Sequence, residues 1–320
     1  MSLVSIIIPT YNRGHLISET LDSILAQSYT NWECIIVDDR SSDNTDEIIL
    51  QYINKDNRFK YFKRPKEKHK GANVCRNIGL NNFEGDYVVF FDSDDLMTSD
   101  HLEIKIESIK ESQCDYVITR TQYFNQDNFQ IDKYYQGYKS YKITPFNYIT
   151  QKINWLTLDV CLKRDIALSI NFNEQLQSGQ EYNYYSKLVH KSVNTVFIDK
   201  VLSLRRAHDD SIRSQLKTKT QIQESYFNKM WFTYLDVKMY ANKETRQFLM
   251  KQSVQLVFQS KHTFSISFSK FFLALYKEMG MKSFYLPLYF LSIKFFGKGY
   301  YFIAKFNQDK NTNSSNRSYE

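Results

Sequence analysis

The sequence predicts an α/β fold: a Rossmann-like, mostly parallel sheet flanked by helices, followed by a helical, basic and aromatic C-terminal extension. Three observations predict it. Apolar runs of strand length alternate with segments of helical period from the N terminus to about Ile198. Clusters of hydroxyls and carboxylates directly follow several of those runs, at the edge where open α/β sheets bind ligands. From about Ser214 the alternation stops, and long helical patterns rich in aromatics and lysine take over.

Leu3 to Pro9 is a continuous apolar run and reads as a strand buried on both faces. His15 to Gln27 carries Leu16, Ile17, Leu21, Ile24 and Leu25 at helical period. Trp32 to Val37 is a second strand, ending in Asp38-Asp39. Ser41-Ser42-Asp43-Asn44 is a cap cluster that opens a helix from about Thr45 to Tyr52. Phe59 to Phe62 is a short strand, Ala72 to Leu80 a helix, and Tyr87 to Phe91 the next strand. After Asp92-Ser93-Asp94-Asp95 come a helix from about Asp100 to Ser112 and a strand at Tyr116 to Arg120. About Thr121 to Ser140 is polar and aromatic without period, and reads as an insertion or hairpin. A helix around Glu181 to His190 and a strand at Thr195 to Ile198 resume the pattern. Alternation of this kind indicates right-handed crossovers and a sheet covered on both faces.

The 42% apolar and 24% charged residues are enough for a sizeable core and unlike a disordered or fibrous chain. The four cysteines are far apart, with no C-x-x-C pair, and read as buried thiols suited to a reducing cytoplasm. No basic region precedes the first apolar run, so it does not read as a signal peptide. The longest apolar stretch, Phe284 to Phe296, is interrupted by Pro287 and Lys294 and is too short to cross a bilayer. Of the net charge of +7, residues from Lys217 onward carry +10, which leaves −3 for the rest. The excess charge therefore belongs to the extension.

Four loops fall on one edge of the predicted sheet. Pro9-Thr10-Tyr11-Asn12-Arg13 stops the first strand with Pro and follows with hydroxyls and an amide. A dinucleotide-binding unit would place G-x-G-x-x-G here, and only Gly14 is present. In the second loop Asp38 and Asp39 can accept hydrogen bonds from a nucleoside, while Ser42 or Asp43 can simply cap the helix. In the third, Gly71 lets backbone approach a ligand and Arg76 offers a planar fork of donors, or is merely solvated. In the fourth, Asp92 and Asp94 stand two apart, so both can reach one hard cation whose other ligands are phosphate oxygens. The alternative is an acidic turn capping the next helix.

Taken together, Pro9-Thr10-Tyr11-Asn12, Val37-Asp38-Asp39-x-Ser41-x-Asp43-x-Thr45, Gly71-x-x-x-x-Arg76-Asn77-x-Gly79 and Asp92-Ser93-Asp94-Asp95 resemble, in order and spacing, the family 2 glycosyltransferases. The resemblance covers about residues 2 to 212 and implies a GT-A type fold and an inverting transferase that uses a nucleotide-sugar donor, expected to be UDP-linked. It implies that Thr10, Tyr11 and Asp39 contact the nucleoside, with Pro9, Asn12, Asp38, Gly71 and Ser93 beside them, and that Arg76 contacts the base. Asp92 and Asp94 would hold the ribose and a Mg²⁺ or Mn²⁺ ion. Arg40 stands where the family commonly has Gly, and Cys75 where it often has Ala.

Inverting transfer needs a group that takes the acceptor's proton and one that stabilises the departing diphosphate. The family usually places its base in a Glu-Asp pair opening a late helix. The matching residues are Gln180 and Glu181, so Glu181 is the expected general base, with first-turn helix charge as the alternative. Leu204 to Ser211 resembles an Arg-x-His-x-x-Ser segment, which implies phosphate or acceptor contacts from Arg205 and Arg206 and a metal or diphosphate contact from His208.

The expected organisation is a catalytic domain over 1–213, with a nucleotide-binding half about 1–97 and an acceptor half about 98–213. A helical extension over 214–306 and a disordered polar tail over 307–320 follow. The extension's lysines and aromatics, from Trp231 to Phe302, suit an anionic membrane surface or internal packing of a helical subdomain. The partners expected are a nucleotide-sugar donor, a saccharide or lipid-linked saccharide acceptor and that membrane surface, with no nucleic acid. The protein would sit in the cytoplasm, peripheral to the inner face of the membrane. The rival readings are a nucleotidyltransferase, which would show a Gly-rich phosphate loop, and a non-catalytic carbohydrate-binding or scaffold protein of the same fold.

Overall fold

The computed structural model describes residues 1–125, 131–207, 218–261 and 266–308. It divides into two compact units, Met1–Leu216 and Lys217–Glu320.

In the first unit, β1 (Val4–Thr10), α1 (Ile17–Leu25), β2 (Trp32–Asp38), α2 (Thr45–Lys55), β3 (Phe59–Lys63), α3 (Ala72–Leu80) and β4 (Tyr87–Phe90) alternate as expected. All seven residues of β1 and of β2 are buried, which fits their largely apolar sequences; the buried Glu33 of β2 accepts the Ser5 hydroxyl of β1 and pairs with Lys60. The amphipathic helix α1 turns Ile17, Leu21 and Ile24 to that sheet, a single stripe at helical spacing. Each such buried side chain contributes about 1.5–3 kcal/mol. α3 is buried almost all round. A Cβ on Gly79 would run into Ile7, so only glycine lets the helix lie this close to β1.

The chain continues through β5 (Leu96–Met97), α4 (His101–Ser112), β6 (Tyr116–Tyr123), α5 (Lys133–Gln136), α6 (Pro145–Ile149), β7 (Val160–Lys163), α7 (Arg164–Leu168), α8 (Gln180–Lys191) and β8 (Thr195–Arg205). The eight strands form one sheet in the order β3-β2-β1-β4-β7-β6-β8-β5. β1 pairs in parallel with β2 and with β4, and β2 pairs in parallel with β3. Beyond β4 the sheet is mixed. β7 lies antiparallel to both β4 and β6, β8 is parallel to β6, and β5 is antiparallel to β8.

β7, β5 and the short α5, α6 and α7 are elements that the sequence pattern does not indicate, and β8 and β6 run past the expected ends at Ile198 and Arg120. Two to five residues are too few to display a period, and the second half of β8 is broken by Asp199 and Lys200. Among the described residues, 121–140 holds the end of β6, α5 and a 3₁₀ turn at Gly137–Lys139, with no hairpin.

The strand order changes direction at β1: β2 and β3 lie on one side and β4 on the other. Ligand crevices of open α/β sheets form at the carboxyl ends of strands at such a point. Thr10, Asp38-Asp39 and Asp92 all stand there, at or just beyond the ends of β1, β2 and β4.

The second unit contains α9 (Lys219–Val237), α10 (Lys243–Ser260), α11 (Phe268–Met279), α12 (Tyr285–Phe296) and α13 (Tyr300–Asn307). Thr218 and Asn242 cap α9 and α10 through their side-chain oxygens. Phe227, Trp231 and Phe271 pack edge to face, and the buried Glu278 takes Arg246 at 3.0 Å and the Tyr234 hydroxyl at 3.1 Å. Among the described residues no helix is long and apolar enough to cross a membrane.

Candidate active site

At the end of β1, Thr10 is buried and its hydroxyl has no hydrogen-bond partner among the described residues. A buried hydroxyl without a protein partner has hydrogen-bonding capacity left for a bound molecule. Pro9 precedes it within the sheet, and Asn12 follows with φ 50°. The Asn12 amide oxygen accepts the Ser42 N–H at 2.8 Å, and its own N–H donates to the Ser41 hydroxyl at 2.8 Å. Asn12 thus ties the first loop to the second. Tyr11 is exposed, with the Lys70 ammonium 3.4 Å from its ring centroid.

The two aspartates of the second loop divide their work. Asp38 accepts the Ser41 N–H at 3.0 and 3.1 Å, the Ser41 hydroxyl at 2.5 Å and the Tyr61 hydroxyl at 3.2 Å. It braces the loop. Asp39 accepts the Gly71 N–H at 2.9 Å and is paired with the guanidinium of Arg64, both side chains being buried. Arg64 is a residue of the candidate site that no motif contains, although Lys63-Arg64 at the carboxyl end of β3 is a visible basic pair on this edge. Gly71 has φ +145°, a conformation that other residues rarely adopt. Arg40 has φ 63°, which explains the family's glycine at this position, and its buried Nε has no partner among the described residues.

In the acidic loop after β4, Asp92 accepts Arg76 Nη2 at 2.7 Å and keeps a partly exposed carboxylate. Asp94 is paired with Arg13 Nε at 3.3 Å. Ser93 is buried between them. Asp95 is buried and accepts the Arg206 backbone N–H at 2.8 Å; burial pushes its carboxyl well above the usual range, and Asp94 and Asp92 add to the rise. Arg206 donates to the Asp94 carbonyl at 3.1 Å and to Glu19 at 2.8 Å, so it braces the acidic loop. Among the described residues no three His, Cys, Asp or Glu side chains converge on one point. Two carboxylates with phosphate oxygens completing the shell are nevertheless the hard donor set that Mg²⁺ or Mn²⁺ takes, and Asp92 Oδ2 has no hydrogen bond among the described residues. His208 lies outside the described residues.

α3 links this edge of the sheet to α8. Arg76 Nη1 donates to Gln180 Oε1 at 3.2 Å. Asn73 donates to the carbonyls of Asn173 and Leu176 at 2.7 and 3.2 Å, and Asn77 exchanges bonds with the Phe172 backbone at 3.0 and 2.8 Å. These amides fasten the segment that leads into α8. Gly179, with φ 74°, opens that helix, and Glu181 sits in its first turn.

Glu181 Oε2 accepts the Thr157 N–H at 2.6 Å and the Thr157 hydroxyl at 2.9 Å, while Oε1 has no hydrogen bond among the described residues. Burial raises the Glu181 carboxyl above its ordinary value, and Asp92 adds to the rise; Arg205 and the Thr157 donors oppose it. Burial works against the charge on Arg205, but the field of Asp95, Glu181 and Asp92 more than compensates and holds it cationic. Its guanidinium makes no hydrogen bond among the described residues. Thr157 was not visible in the sequence, because a 3₁₀ turn between Leu156 and Val160 carries no motif.

A family model described as Glycosyl transferase family 2 matches residues 5–164. TuaG of Bacillus subtilis (strain 168), assigned to teichuronic acid biosynthesis as a glycosyltransferase, is 31% identical over 247 residues, 74% of this chain and 88% of TuaG. WfgD of Escherichia coli, a UDP-Glc:alpha-D-GlcNAc-diphosphoundecaprenol beta-1,3-glucosyltransferase, is 36% identical over 126 residues, 39% of this chain and 48% of WfgD. The matches to six other curated relatives span between 20% and 40% of those proteins' lengths. Among solved structures, S. aureus TarS 1-349 in complex with UDP-GlcNAc has a similar fold, with a TM-score of 0.65 and 20% identity over 95% of this chain and 88% of that one.

Proposed function

The chain belongs to glycosyl transferase family 2, and on that premise we propose that it is an inverting enzyme of bacterial surface polysaccharide assembly. It moves a sugar from a UDP-linked donor to a saccharide acceptor, with Glu181 as general base. One observation carries the reading: a carboxylate of raised basicity is held by one oxygen and leaves the other uncommitted, within the field of Asp92 and Arg205. A base of that kind needs a fixed direction and a lone pair to spare.

Thr10, Tyr11 and Asp39 receive the nucleoside. Asp39 retains acceptor capacity, since a carboxylate has about four lone-pair positions and Arg64 and Gly71 do not fill them. Arg76 positions Asp92 toward the ribose. Asp92 and Asp94, with His208, would hold Mg²⁺ or Mn²⁺, which when bound supplies Lewis-acid stabilisation of the departing diphosphate. Glu181 Oε1 removes the acceptor hydroxyl's proton as the acceptor oxygen attacks the anomeric carbon. The bond from the sugar to the diphosphate breaks, and the electron pair leaves with the nucleoside diphosphate. Arg205, cationic and without a hydrogen bond from its guanidinium among the described residues, balances negative charge on that side. The nucleotide-binding half is about 1–97 and the acceptor half about 98–213.

A lipid-linked acceptor at the inner membrane face fits the second unit. Phe295, Phe296, Tyr300 and Tyr301 are exposed there, and Lys294, Lys298 and Lys305 share α12, α13 and the turn between them. Trp231 and Phe271, by contrast, pack inside that unit. In liposome flotation the protein is expected to rise with anionic vesicles; sedimentation away from them rejects the membrane partner. Donor hydrolysis screened across nucleotide sugars with Mn²⁺ tests the activity. Turnover of a UDP-sugar is expected, and no turnover of any nucleotide sugar rejects the proposal.

A further inference from the structure

The geometry points to Thr157 as a positioning residue that aims and tunes the Glu181 carboxylate. The inference rests on Glu181 being the base. Glu181 has one methylene more than the aspartate the family usually carries, and a longer arm has more rotamers to lose before its oxygen is aimed. Thr157 removes that freedom. Its N–H and its hydroxyl, at 2.6 and 2.9 Å, both donate to Oε2, so a single residue takes one oxygen and leaves Oε1 for the acceptor.

Thr157 is itself held from below. It is buried in the one-turn 3₁₀ helix Thr157–Asp159, and its carbonyl accepts the Tyr185 hydroxyl at 3.1 Å. Two residues on, Asp159 accepts the Leu156 N–H at 2.7 Å, the Tyr135 hydroxyl at 2.8 Å and the Thr121 hydroxyl at 2.6 Å. The turn is thus fastened to β6, α5 and α8. An amide N–H in so fixed a turn keeps its direction, which is what a positioned carboxylate requires.

The hydroxyl also bears on basicity. Donation to the charged form of a carboxyl favours that form. The other groups acting on Glu181 are Arg205 from β8, which favours the charged form, Asp92 beyond β4, which opposes it, and the phenols Tyr148 on α6 and Tyr185 on α8. None of these supplies a hydrogen bond to Oε2 among the described residues, so Thr157 alone fixes that oxygen.

The test is Thr157→Val, which keeps the shape and the N–H but deletes the hydroxyl, with Thr157→Ala as a second deletion should Val disturb folding. Expected are a fall in kcat of about 10-fold, the loss of one hydrogen bond to a charged group, and donor KM within about 2-fold. The acidic limb of the kcat profile should move to higher pH, because the charged form has lost a donor. Thr157→Ser should restore both. Unchanged kcat and limb in the deletions, or a raised KM at unchanged kcat, overturns the positioning role. Glu181→Gln measured alongside separates the two ideas: retained turnover there removes the base, whereas collapse there with silent Thr157 variants removes only Thr157.

Discussion

Replacing Arg64 with Met probes the proposed nucleoside end of the crevice through a residue that no motif contains. Arg64 is 7% exposed and Asp39 5% exposed, and their ion pair is the main countercharge for the Asp39 carboxylate. Met keeps most of the volume of the arm but leaves Asp39 with only the Gly71 N–H among the described residues. Removing one partner of a buried pair costs about 3–5 kcal/mol, and the surviving N–H bond argues for the lower end, about 3 kcal/mol. For a unit of this size about 3 kcal/mol lowers Tm by roughly 6–12 °C. The Arg64 fork also donates to the Pro65 carbonyl at 3.1 Å and to the Lys68 carbonyl, so the segment before Gly71 loosens with it. UDP affinity should therefore fall by about 10-fold or more, read by titration calorimetry beside thermal melts. The double variant Asp39→Asn/Arg64→Met should recover stability, because no charge is stranded, without recovering UDP binding. An Arg64→Met protein that melts within about 2 °C of wild type and binds UDP normally would refute this account of the pair.

Asp94→Ala should abolish metal-dependent sugar transfer and weaken donor binding, with wild-type turnover as the contradicting result; it also releases Arg13, so a small loss of stability is expected. Asp159 tests pH linkage: burial lifts its carboxyl to about 6 against the opposing donors Thr121 and Leu156 and the charge of Lys105. Because the folded value lies above the unfolded one, this group's stabilisation is present below about pH 4 and is lost as pH rises through about 6. Its size is about 2–3 kcal/mol. Thermal melts from pH 4 to pH 7 should show that decline in wild type and not in Asp159→Asn, and parallel profiles would count against it.

Part of the candidate crevice was legible because several of its residues sit where a strand ends. Thr10, Asp38-Asp39 and Asp92 follow apolar runs whose length and continuity declare buried strands, and α3 has the bounds its pattern indicated. The first-turn position of Glu181 followed from the glycine and the helical period after it. What stayed hidden depends on contacts across the chain. Thr157 reaches Glu181 over 24 residues and Asn77 reaches Phe172 over 95, and neither leaves a local trace. β7 escaped because Val160-Cys161-Leu162 is too short to show a period, yet it turns a parallel sheet into a mixed one. The division between Asp38 and Asp39 was equally invisible, since two adjacent carboxylates differ only in which way the folded loop turns them.

The most direct test of the central claim is Glu181→Gln, measured for donor binding and for turnover on the same preparation. Gln preserves length and can still accept from Thr157 through its amide oxygen, but it cannot take a proton. UDP-sugar affinity should stay within about 2-fold of wild type and kcat should fall by about 10²–10⁴-fold, the usual contribution of a positioned base. Turnover within a few-fold of wild type would contradict it and return the proton chemistry to another group.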